Sequence, residues 1–359
     1  MRELHQVLPT FSPRDAIGNE VLEIRKTLRR WGYVSDIYAE NIHPSCVGMA
    51  KGPTELMKIN KQASLIYHYS IGSDLTYTLI GLPNKLCILY HNITPCQYFL
   101  GVNGFIADIL RKGREELPSL SQRTSLALAD SEFSRQELVE LGFKSTAVLP
   151  ILLDFSRYRT SPSPEVLRKY ADDRANILFV GRYAPSKCLE DVIKIFGYYQ
   201  KCIETESRLF LVGSYHGTET YYRYLSDLAS KFKISNVHFA ADPSGGPCST
   251  PELLAYYHIA DVFLIMSEHE GFCVPLLESM HFDIPIIAYC AGAVPETLGK
   301  SGALVLKKEY EEIGELVNVL VEDENIRGRV IEKQSERLLK FDRAKIDQQF
   351  RELIDRFLG

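Results

Sequence analysis

Short apolar runs, rich in β-branched and aromatic side chains, alternate with amphipathic stretches along the whole chain. Runs of this length, bounded by turn residues, are typical of buried strands. They predict six strands in the first half of the chain, at residues 5–9, 34–38, 65–68, 86–91, 125–129 and 146–149. Six more are predicted in the second half, at residues 176–181, 208–213, 236–239, 261–266, 284–288 and 303–306. Because strands and helices alternate, each half is expected to form a parallel, doubly wound α/β sheet.

Two stretches show the helical period most clearly. In residues 19–31 the apolar side chains recur at spacings of three and four, so that they share one helix face before Gly32 ends the helix. Residues 343–358 carry a second stripe, which must pack on another element, and we expect it to return to the first half of the chain. The two stripes are formed by Val21, Ile24, Leu28 and Trp31, and by Ile346, Phe350, Leu353, Ile354 and Phe357.

The length of 359 residues favours two domains. Residues 150–174 are rich in turn and polar residues and are interpreted as the connection. We therefore predict an N-terminal Rossmann-like domain at 1–155, a C-terminal one at 156–340, and a helix at 341–359 that packs back on the first domain. Ligands of open α/β sheets bind outside the carboxyl ends of the strands, so the two domains are expected to face each other across a cleft.

The distribution of charged residues bears on which kind of ligand or surface the protein binds. The formal net charge is -5, which disfavours a nucleic-acid ligand. The first half nevertheless carries two basic clusters, at residues 25–30 and 111–114. They are either solvated helix faces or a surface for peripheral contact with an anionic membrane.

The eight cysteines include no C-x-x-C pair, which indicates a reducing compartment and no metal site. The first residues do not resemble a signal peptide, and no apolar run approaches the length of a membrane span. We therefore expect a cytoplasmic protein, peripheral at most at the inner face of the membrane.

The most informative stretch is residues 267–278, which follows a predicted strand and leads into a helix. Pro275 is the expected first helical position, and the unpaired N–H groups of such a helix start suit a phosphate or a sugar oxygen. Glu270 in the loop and Glu278 within the helix could reach opposite ends of one elongated ligand. Alternatively, Glu270 caps the helix and Glu278 is a solvated carboxylate.

A second constellation follows the predicted strand at 176–181. Arg182 and Lys187 lie on this strand-to-helix loop, where an arginine can grip two phosphate oxygens and a lysine provides a point charge. The pair is therefore a candidate diphosphate clamp. Alternatively, it belongs to surface ion pairs.

These motifs, in their order along the chain, resemble the large retaining glycosyltransferase family 4, which has the two-domain GT-B fold. The resemblance rests on Glu270-x7-Glu278 within Glu-Gly-Phe-x-x-Pro-x-Leu-Glu, on the upstream Gly-Arg…Lys loop, on residues 212–214 and 291–296, and on residues 15–19 and 129–135 of the first half. It implies that Glu270 meets the transferred sugar, that Glu278 meets the ribose, and that Arg182 and Lys187 hold the diphosphate. The implied donor-binding residues are Gly18, Arg182, Lys187, Gly213, Glu270, Gly271, Phe272, Cys273, Val274, Pro275 and Glu278.

His91, at the end of a predicted strand, resembles the active-site histidine of that family, which lies beside the sugar. Without the resemblance, a lone histidine that ends a strand is more often structural, so the assignment rests mainly on the resemblance. Gly18 could approach a phosphate or the acceptor, or could simply allow a tight turn before a helix. Three positions depart from the family pattern, because Cys188, Cys273 and Asp283 stand where glycine is frequent.

The implied function is metal-independent transfer of a hexose from a UDP- or GDP-linked donor to a glycan or lipid-linked acceptor, without a cofactor. Bacterial surface polysaccharide synthesis is the expected setting, and the first domain becomes the acceptor side. The chain lacks the G-x-G-x-x-G and G-x-x-x-x-G-K-[ST] motifs, which disfavours a dinucleotide-dependent dehydrogenase and a P-loop nucleotidase. The alternatives are an epimerase or phosphorylase of similar shape, and a catalytically silent subunit that binds a sugar nucleotide.

Overall fold

The computed structural model describes residues 2–12 and 15–359. Its twelve named strands are β1 (Leu4–Phe11), β2 (Ile37–Ile42), β3 (Ser64–Tyr69), β4 (Lys85–Tyr90), β5 (Leu126–Ala129), β6 (Thr146–Val148), β7 (Ala175–Val180), β8 (Ser207–Val212), β9 (Val237–Ala240), β10 (Val262–Ile265), β11 (Ile286–Tyr289) and β12 (Ala303–Val305). The helices are α1 (Ala16–Arg30), α2 (Pro53–Leu56), α3 (Leu75–Gly81), α4 (Gly104–Leu120), α5 (Glu132–Glu140), α6 (Pro164–Lys169), α7 (Leu189–Cys202), α8 (Glu219–Lys231), α9 (Thr250–Ile259), α10 (Val274–His281), α11 (Val294–Leu298), α12 (Tyr310–Glu322), α13 (Glu324–Leu338) and α14 (Arg343–Leu358).

The chain divides into two compact units. Unit 1 comprises the described residues up to Cys96, Phe105–Asp154 and Phe341–Gly359, and unit 2 comprises Gln97–Gly104 and Phe155–Lys340. A short piece of the predicted N-terminal domain, Gln97–Gly104, therefore belongs to unit 2. Each unit contains one six-stranded sheet in which every strand pair is parallel. The prediction of two doubly wound α/β sheets is confirmed.

The strand orders locate the crevices of both sheets. Unit 1 has the order β2-β1-β3-β4-β5-β6, and unit 2 has the order β12-β11-β10-β7-β8-β9. In unit 2 the order reverses between β7 and β10, which is the arrangement of dinucleotide-binding folds. The corresponding point in unit 1 lies between β1 and β3. Ligands of such sheets bind outside the carboxyl ends of the strands at these points.

The core of unit 1 includes the last helix. All five predicted stripe residues of α14 are buried, and they pack in one cluster with side chains of α1, β3, β4 and β5. The stripe of α1 is also buried through Val21, Ile24 and Leu28, while Trp31 packs on Phe350 with ring centroids 5.4 Å apart.

The predicted boundaries differ most from the structure at the first helix and the second strand. Helix α1 begins at Ala16 rather than at residue 19, because Asp15 is the N-cap and its side chain accepts a hydrogen bond from Gly18 N at 3.4 Å. The second strand runs over Ile37–Ile42 instead of residues 34–38. Its ladder starts late because the backbone N–H of Asp36 donates to Nδ1 of His5, at 3.1 Å, and not to a carbonyl of β1.

Candidate functional site

The loops that follow β7 and β10 meet at the switch point of unit 2. Glu268 N donates to Ser186 O at 2.9 Å and thereby joins the two loops. This brings Lys187 Nζ to 2.7 Å from Glu270 Oε2. Lys187 and Glu270, which were predicted to act together, are therefore in direct contact, although they lie 83 positions apart in the sequence.

Glu270 is held from its backbone as well as from its side chain. Only 7% of the residue is exposed, and its carbonyl oxygen accepts the N–H of Ala293 at 3.0 Å. Gly292 permits this contact because its φ is +55° and because a Cβ atom there would lie 2.6 Å from Glu270 O. The loop before α11 therefore fixes the position of the carboxylate that pairs with Lys187.

Arg182 lies on the same edge of the sheet. Its Nη2 donates to His216 O, at 3.2 Å, in the loop that follows β8. Gly213 begins this loop, and a Cβ atom there would lie 1.9 Å from Gly181 O, so the two loops approach too closely for a side chain. The structure thus assigns Gly213 to the packing of the loop that carries Arg182.

Glu278 is buried within unit 2, at 4% exposure. Tyr257 donates to its Oε2 at 2.7 Å, while Arg157 donates to Oε1 at 2.8 Å and the hydroxyl of Tyr158 also contacts Oε1. Burial raises the pKa of both tyrosines, and the charge of Glu278 raises it further. Both phenols therefore keep their protons and act as donors. Since a carboxylate has about four acceptor positions, three donors leave about one for a ligand hydroxyl.

Sequence reasoning missed the three partners of Glu278. Arg157 and Tyr158 lie in the segment interpreted as a connection, and Tyr257 lies on α9, where its spacing is that of an ordinary core residue. Nothing in the local pattern distinguishes these side chains from packing residues. Only their convergence on Glu278 does so.

The N-terminus of α10 differs from the prediction by one residue. Cys273 is the N-cap and Val274 is the first helical residue, so Pro275 occupies the second position rather than the first. Proline is tolerated there because the first four N–H groups of a helix have no partner within the helix. Phe272, Cys273 and Val274 are buried, and Gly271 and Pro275 are half-buried.

The three residues that stand where glycine is frequent in the family resembled by the sequence share one backbone conformation. Cys188, Cys273 and Asp283 have φ values of +50°, +73° and +56°. Left-handed backbone is costly for residues with a side chain, by about 1 to 2 kcal/mol. The backbone thus retains a geometry suited to glycine at all three positions, which explains the frequency of glycine there.

His91 follows β4 in unit 1, and its side chain is 3% exposed. Its Nδ1 lies 3.0 Å from Asp130 Oδ2, and its Nε2 lies 3.0 Å from His68 Nδ1. Both ring nitrogens are therefore engaged inside unit 1. Gly18, in the first turn of α1, is buried, and a Cβ atom there would lie 2.2 Å from Ser12 O, so it allows a tight approach between β1 and α1.

Two groups of described side chains bring possible metal ligands together, namely Glu20, His68 and His91, and Cys188, Asp191 and Glu268. In the second group an ammonium ion is already present, because Lys308 Nζ lies 2.8 Å from both Asp191 and Glu268. Asp172, an acidic residue of the connection, belongs to neither group, and its carboxylate forms ion pairs with Arg208 and Arg174.

Every cation of the two basic clusters has a hydrogen-bond or ion-pair partner within unit 1. The pairs are Arg25 with Met49 O, Lys26 with Asp154, Arg29 with Asp36, Arg30 with Asp347, Arg111 with Asp108, Lys112 with Asp74 and Arg114 with Glu137. This favours solvated helix faces over a free cationic surface. Across residues 2–12 and 15–359, no helix combines the length and apolarity required to cross a membrane.

Comparisons with known proteins agree with this architecture. Residues 166–337 match the family model described as glycosyl transferases group 1. The D-inositol 3-phosphate glycosyltransferase of Thermobifida fusca is 25% identical over 232 residues, which cover 61% of this chain and 51% of that protein. The chain thus spans about half the length of this relative.

Solved structures match over nearly the whole chain. Sucrose-phosphate synthase from Thermosynechococcus elongatus has a TM-score of 0.76 at 15% identity and covers 99% of each chain. HepE of Anabaena, solved in complex with UDP-glucose, has a TM-score of 0.75 at 16% identity over 98% of this chain and 99% of that one. The chain therefore has the two-domain, Rossmann-like GT-B fold, and most of its unit 2 is similar to the group 1 glycosyl transferases.

Proposed function

We propose that the protein is a retaining glycosyltransferase that moves a hexose from a UDP- or GDP-linked donor to a glycan or lipid-linked acceptor in the synthesis of bacterial surface polysaccharide. The observation that carries the proposal is the contact between Lys187 and Glu270 at the switch point of unit 2. It lies inside the part of the chain that matches the family model. The UDP-glucose bound to HepE supports a nucleotide-sugar donor.

The charges at this edge suggest a division of roles. Lys187 and Arg182 would neutralise the diphosphate as negative charge develops on the bridging oxygen. Glu270 would then exchange its partner Lys187 for sugar hydroxyls, and the N-terminus of α10 would face the leaving group or the sugar. Glu278 would accept one ribose hydroxyl with its remaining acceptor position.

Retention requires attack from the face that the diphosphate leaves. A phosphate oxygen of the leaving group would take the proton of the acceptor hydroxyl, while the sugar passes through an oxocarbenium-like transition state. The protein would supply no nucleophile. Two side-chain cations and a helix terminus make an essential metal unnecessary.

A panel of nucleotide sugars, scored by release of the nucleoside diphosphate with and without saccharide acceptors, tests the proposal. We expect release that depends on one donor and on an acceptor, a product that keeps the anomeric configuration by NMR, and activity that survives a chelator. Donor turnover to an isomer without an acceptor would instead identify an epimerase, and phosphate-dependent cleavage a phosphorylase. Tight donor binding without turnover would identify a silent subunit.

A further inference from the structure

A short segment from the first half of the chain is built into the carboxyl edge of the unit 2 sheet. Gln97–Gly104, here called the strap, belongs to unit 2, whereas the residues before and after it in the sequence belong to unit 1. Phe99 is the one fully buried residue of the strap, at 4% exposure, while Leu100 is 66% exposed. Because the strap buries little apolar surface, its polar contacts fix its position on unit 2.

The first anchor of the strap is Tyr98. Its hydroxyl donates to Glu268 Oε2 at 3.2 Å, 170 positions further along the chain. Burial, followed by the charge and the hydrogen bond of Glu268, raises the pKa of Tyr98 to about 12, so the phenol keeps its proton and is the donor. The other oxygen of this carboxylate, Oε1, lies 2.8 Å from Lys308 Nζ. Glu268 is therefore held from two sides.

Glu268 connects the strap to the residues proposed to hold the donor. Its backbone N–H donates to Ser186 O in the loop after β7, and Lys187 is the next residue of that loop. Glu270 follows Glu268 by two positions. A change in the position of Glu268 would therefore be felt by both members of the pair formed by Lys187 and Glu270.

The second anchor is Asn103, near the other end of the strap. Its Nδ2 donates to Gly217 O at 2.8 Å, in the loop after β8. The preceding carbonyl of that loop, His216 O, accepts the hydrogen bond from Arg182 Nη2. The strap thus contacts the loop that supports Arg182 as well as the loop that adjoins Lys187.

Backbone hydrogen bonds close the turn between the two anchors. The N–H groups of Val102 and Asn103 both donate to Phe99 O, at 3.0 Å each. Gly101 permits this turn with a φ of +79°, a conformation that residues with a side chain rarely adopt. The separation of Tyr98 and Asn103 is therefore set within the strap and not by the loops that they hold.

We propose that Tyr98 and Asn103 are positioning residues for the proposed transfer, because the strap between them keeps the loops after β8 and β10 at one separation, so that Arg182 and Lys187 meet the diphosphate of the donor together. A cation stabilises a transition state only if it is already placed where charge develops, and a displacement of about 1 Å can cost on the order of 10²-fold in rate. The inference rests on the proposed function for the ligand. The strap and its contacts do not depend on that function.

Two independent surface contacts are the alternative explanation. Each anchor would then stabilise only the loop that it touches, and the effects of the two substitutions on free energy would add. Residues that act as one unit behave differently, because removing either of them already removes the function of both. A double substitution therefore separates the two explanations.

Hydrogen exchange of the ligand-free protein tests the strap without reference to activity. Tyr98→Phe removes only a hydroxyl group, and Asn103→Ala removes the amide donor. Either substitution should speed exchange about fivefold, the factor expected for one ordinary hydrogen bond, in both loops, at residues 214–218 and 267–271. Tyr77→Phe, which alters an exposed tyrosine on α3 of unit 1, is the matched control and should change neither loop. Faster exchange only in the loop that lost its own partner, or in neither loop, would overturn the inference.

Steady-state kinetics test the consequence for transfer, with UDP-glucose or with the nucleotide sugar that the donor panel selects. Tyr98→Phe and Asn103→Ala should each lower kcat by about 10-fold, and the double variant should lose no more than the larger single loss. The donor KM should change by less than about threefold, because the cations act mainly on charge that develops in the transition state. Asn103→Gln keeps an amide donor and should recover part of the loss, and Tyr77→Phe should retain full activity.

Two outcomes would contradict the positioning role, namely losses of kcat that multiply in the double variant, and a rise in donor KM with kcat unchanged. Absence of transfer by the wild type with every donor of the panel would reject the proposed function. Hydrogen exchange would in that case still decide whether the strap holds the two loops as one unit.

Discussion

At the scale of single residues, the contact between Lys187 Nζ and Glu270 Oε2, at 2.7 Å, governs the chemistry proposed for unit 2. The pair is largely shielded from water, because the side chains are 22% and 9% exposed. Removing one partner leaves a charged group in a poorly hydrated place, and each group therefore acts in the context of the other.

Single and double substitutions test this coupling. Lys187→Ala should lower kcat by about 10²- to 10³-fold, since a preorganised cation at the leaving group is worth roughly 3 to 4 kcal/mol in the transition state. Glu270→Ala should lower it by on the order of 10²-fold. Because the two side chains touch, the double variant should lose less than the sum of the two free-energy changes. Steady-state kinetics of the three variants measure these losses, with Lys201→Ala on α7 as the control. Additive losses would show that the two side chains are not coupled.

Asp283 is an exposed residue with left-handed backbone just after α10. Asp283→Gly should stabilise unit 2 by about 1 kcal/mol, because glycine adopts this conformation without strain. The thermal midpoint should rise by about 2 to 4 °C. Asp283→Ala keeps a Cβ atom and should give no gain. Equal effects of the two substitutions, measured by calorimetry, would contradict the explanation.

At the scale of elements, two segments that carry no proposed catalytic side chain hold other parts of the molecule in place. The loop before α11 supports the backbone of Glu270 through Gly292, and α14 completes the core of unit 1. Each lies far in sequence from what it supports, so its effect can be separated from the chemistry by substitution.

Gly292→Ala should displace Glu270, because the added Cβ would lie 2.6 Å from Glu270 O and because φ there is +55°. We expect kcat to fall by on the order of 10²-fold although every proposed catalytic side chain is intact. Gly328→Ala is the matched control, since a Cβ atom on this residue of α13 meets no atom within 4 Å. It should keep full activity and gain about 0.5 to 1 kcal/mol of stability.

Phe350→Ala should destabilise unit 1 by about 3 to 5 kcal/mol, because the ring is completely buried among side chains of the sheet and α1. Gln348→Ala, on the exposed face of the same helix, should change stability by less than about 0.5 kcal/mol. Urea denaturation of both variants measures the difference. Similar midpoints for the two would show that α14 contributes little to the core.

At the scale of the whole molecule, buried titratable groups make stability depend on pH. Burial, and next the charge of Asp130, raises the pKa of Glu20 above its usual value of 4.5. Burial alone would lower the pKa of His91, but the charge and hydrogen bond of Asp130 raise it above its usual value of 6.5. The folded state therefore binds these protons more tightly than the unfolded state, and the stabilisation is lost as pH rises through the folded pKa values. Four histidines with lowered pKa act in the opposite sense below about pH 6.5, namely His5, His68, His238 and His281.

The thermal midpoint should consequently fall between pH 7 and pH 9. Glu20→Gln should reduce the part of this fall between pH 7 and pH 8, because it removes one of the two titrations. Calorimetry in buffers of equal ionic strength measures both curves. A midpoint that rises from pH 7 to pH 9 would show that Glu20 and His91 do not bind protons as described.

Much of the architecture could be read from local pattern. The alternation of apolar runs with amphipathic stretches predicted both parallel sheets, and the stripe of α14 predicted a buried face, because periodicity depends only on residues within a few positions of each other. Lys187 and Glu270 could also be singled out, since each lies in a loop between a predicted strand and a predicted helix. Their positions after strands were visible in the sequence.

Only the tertiary structure decided which of these residues meet. The placement of β7 beside β10 brings Lys187 to Glu270, and convergence of α9 and the segment after residue 154 surrounds Glu278 with Arg157, Tyr158 and Tyr257. The hydrogen bonds of His91 with His68 and Asp130 likewise join side chains from three neighbouring strands or the positions that follow them. Such contacts join residues that lie tens to more than a hundred positions apart in the sequence. They are set by the order of strands in a sheet, and this order has no signature within any one segment of the chain.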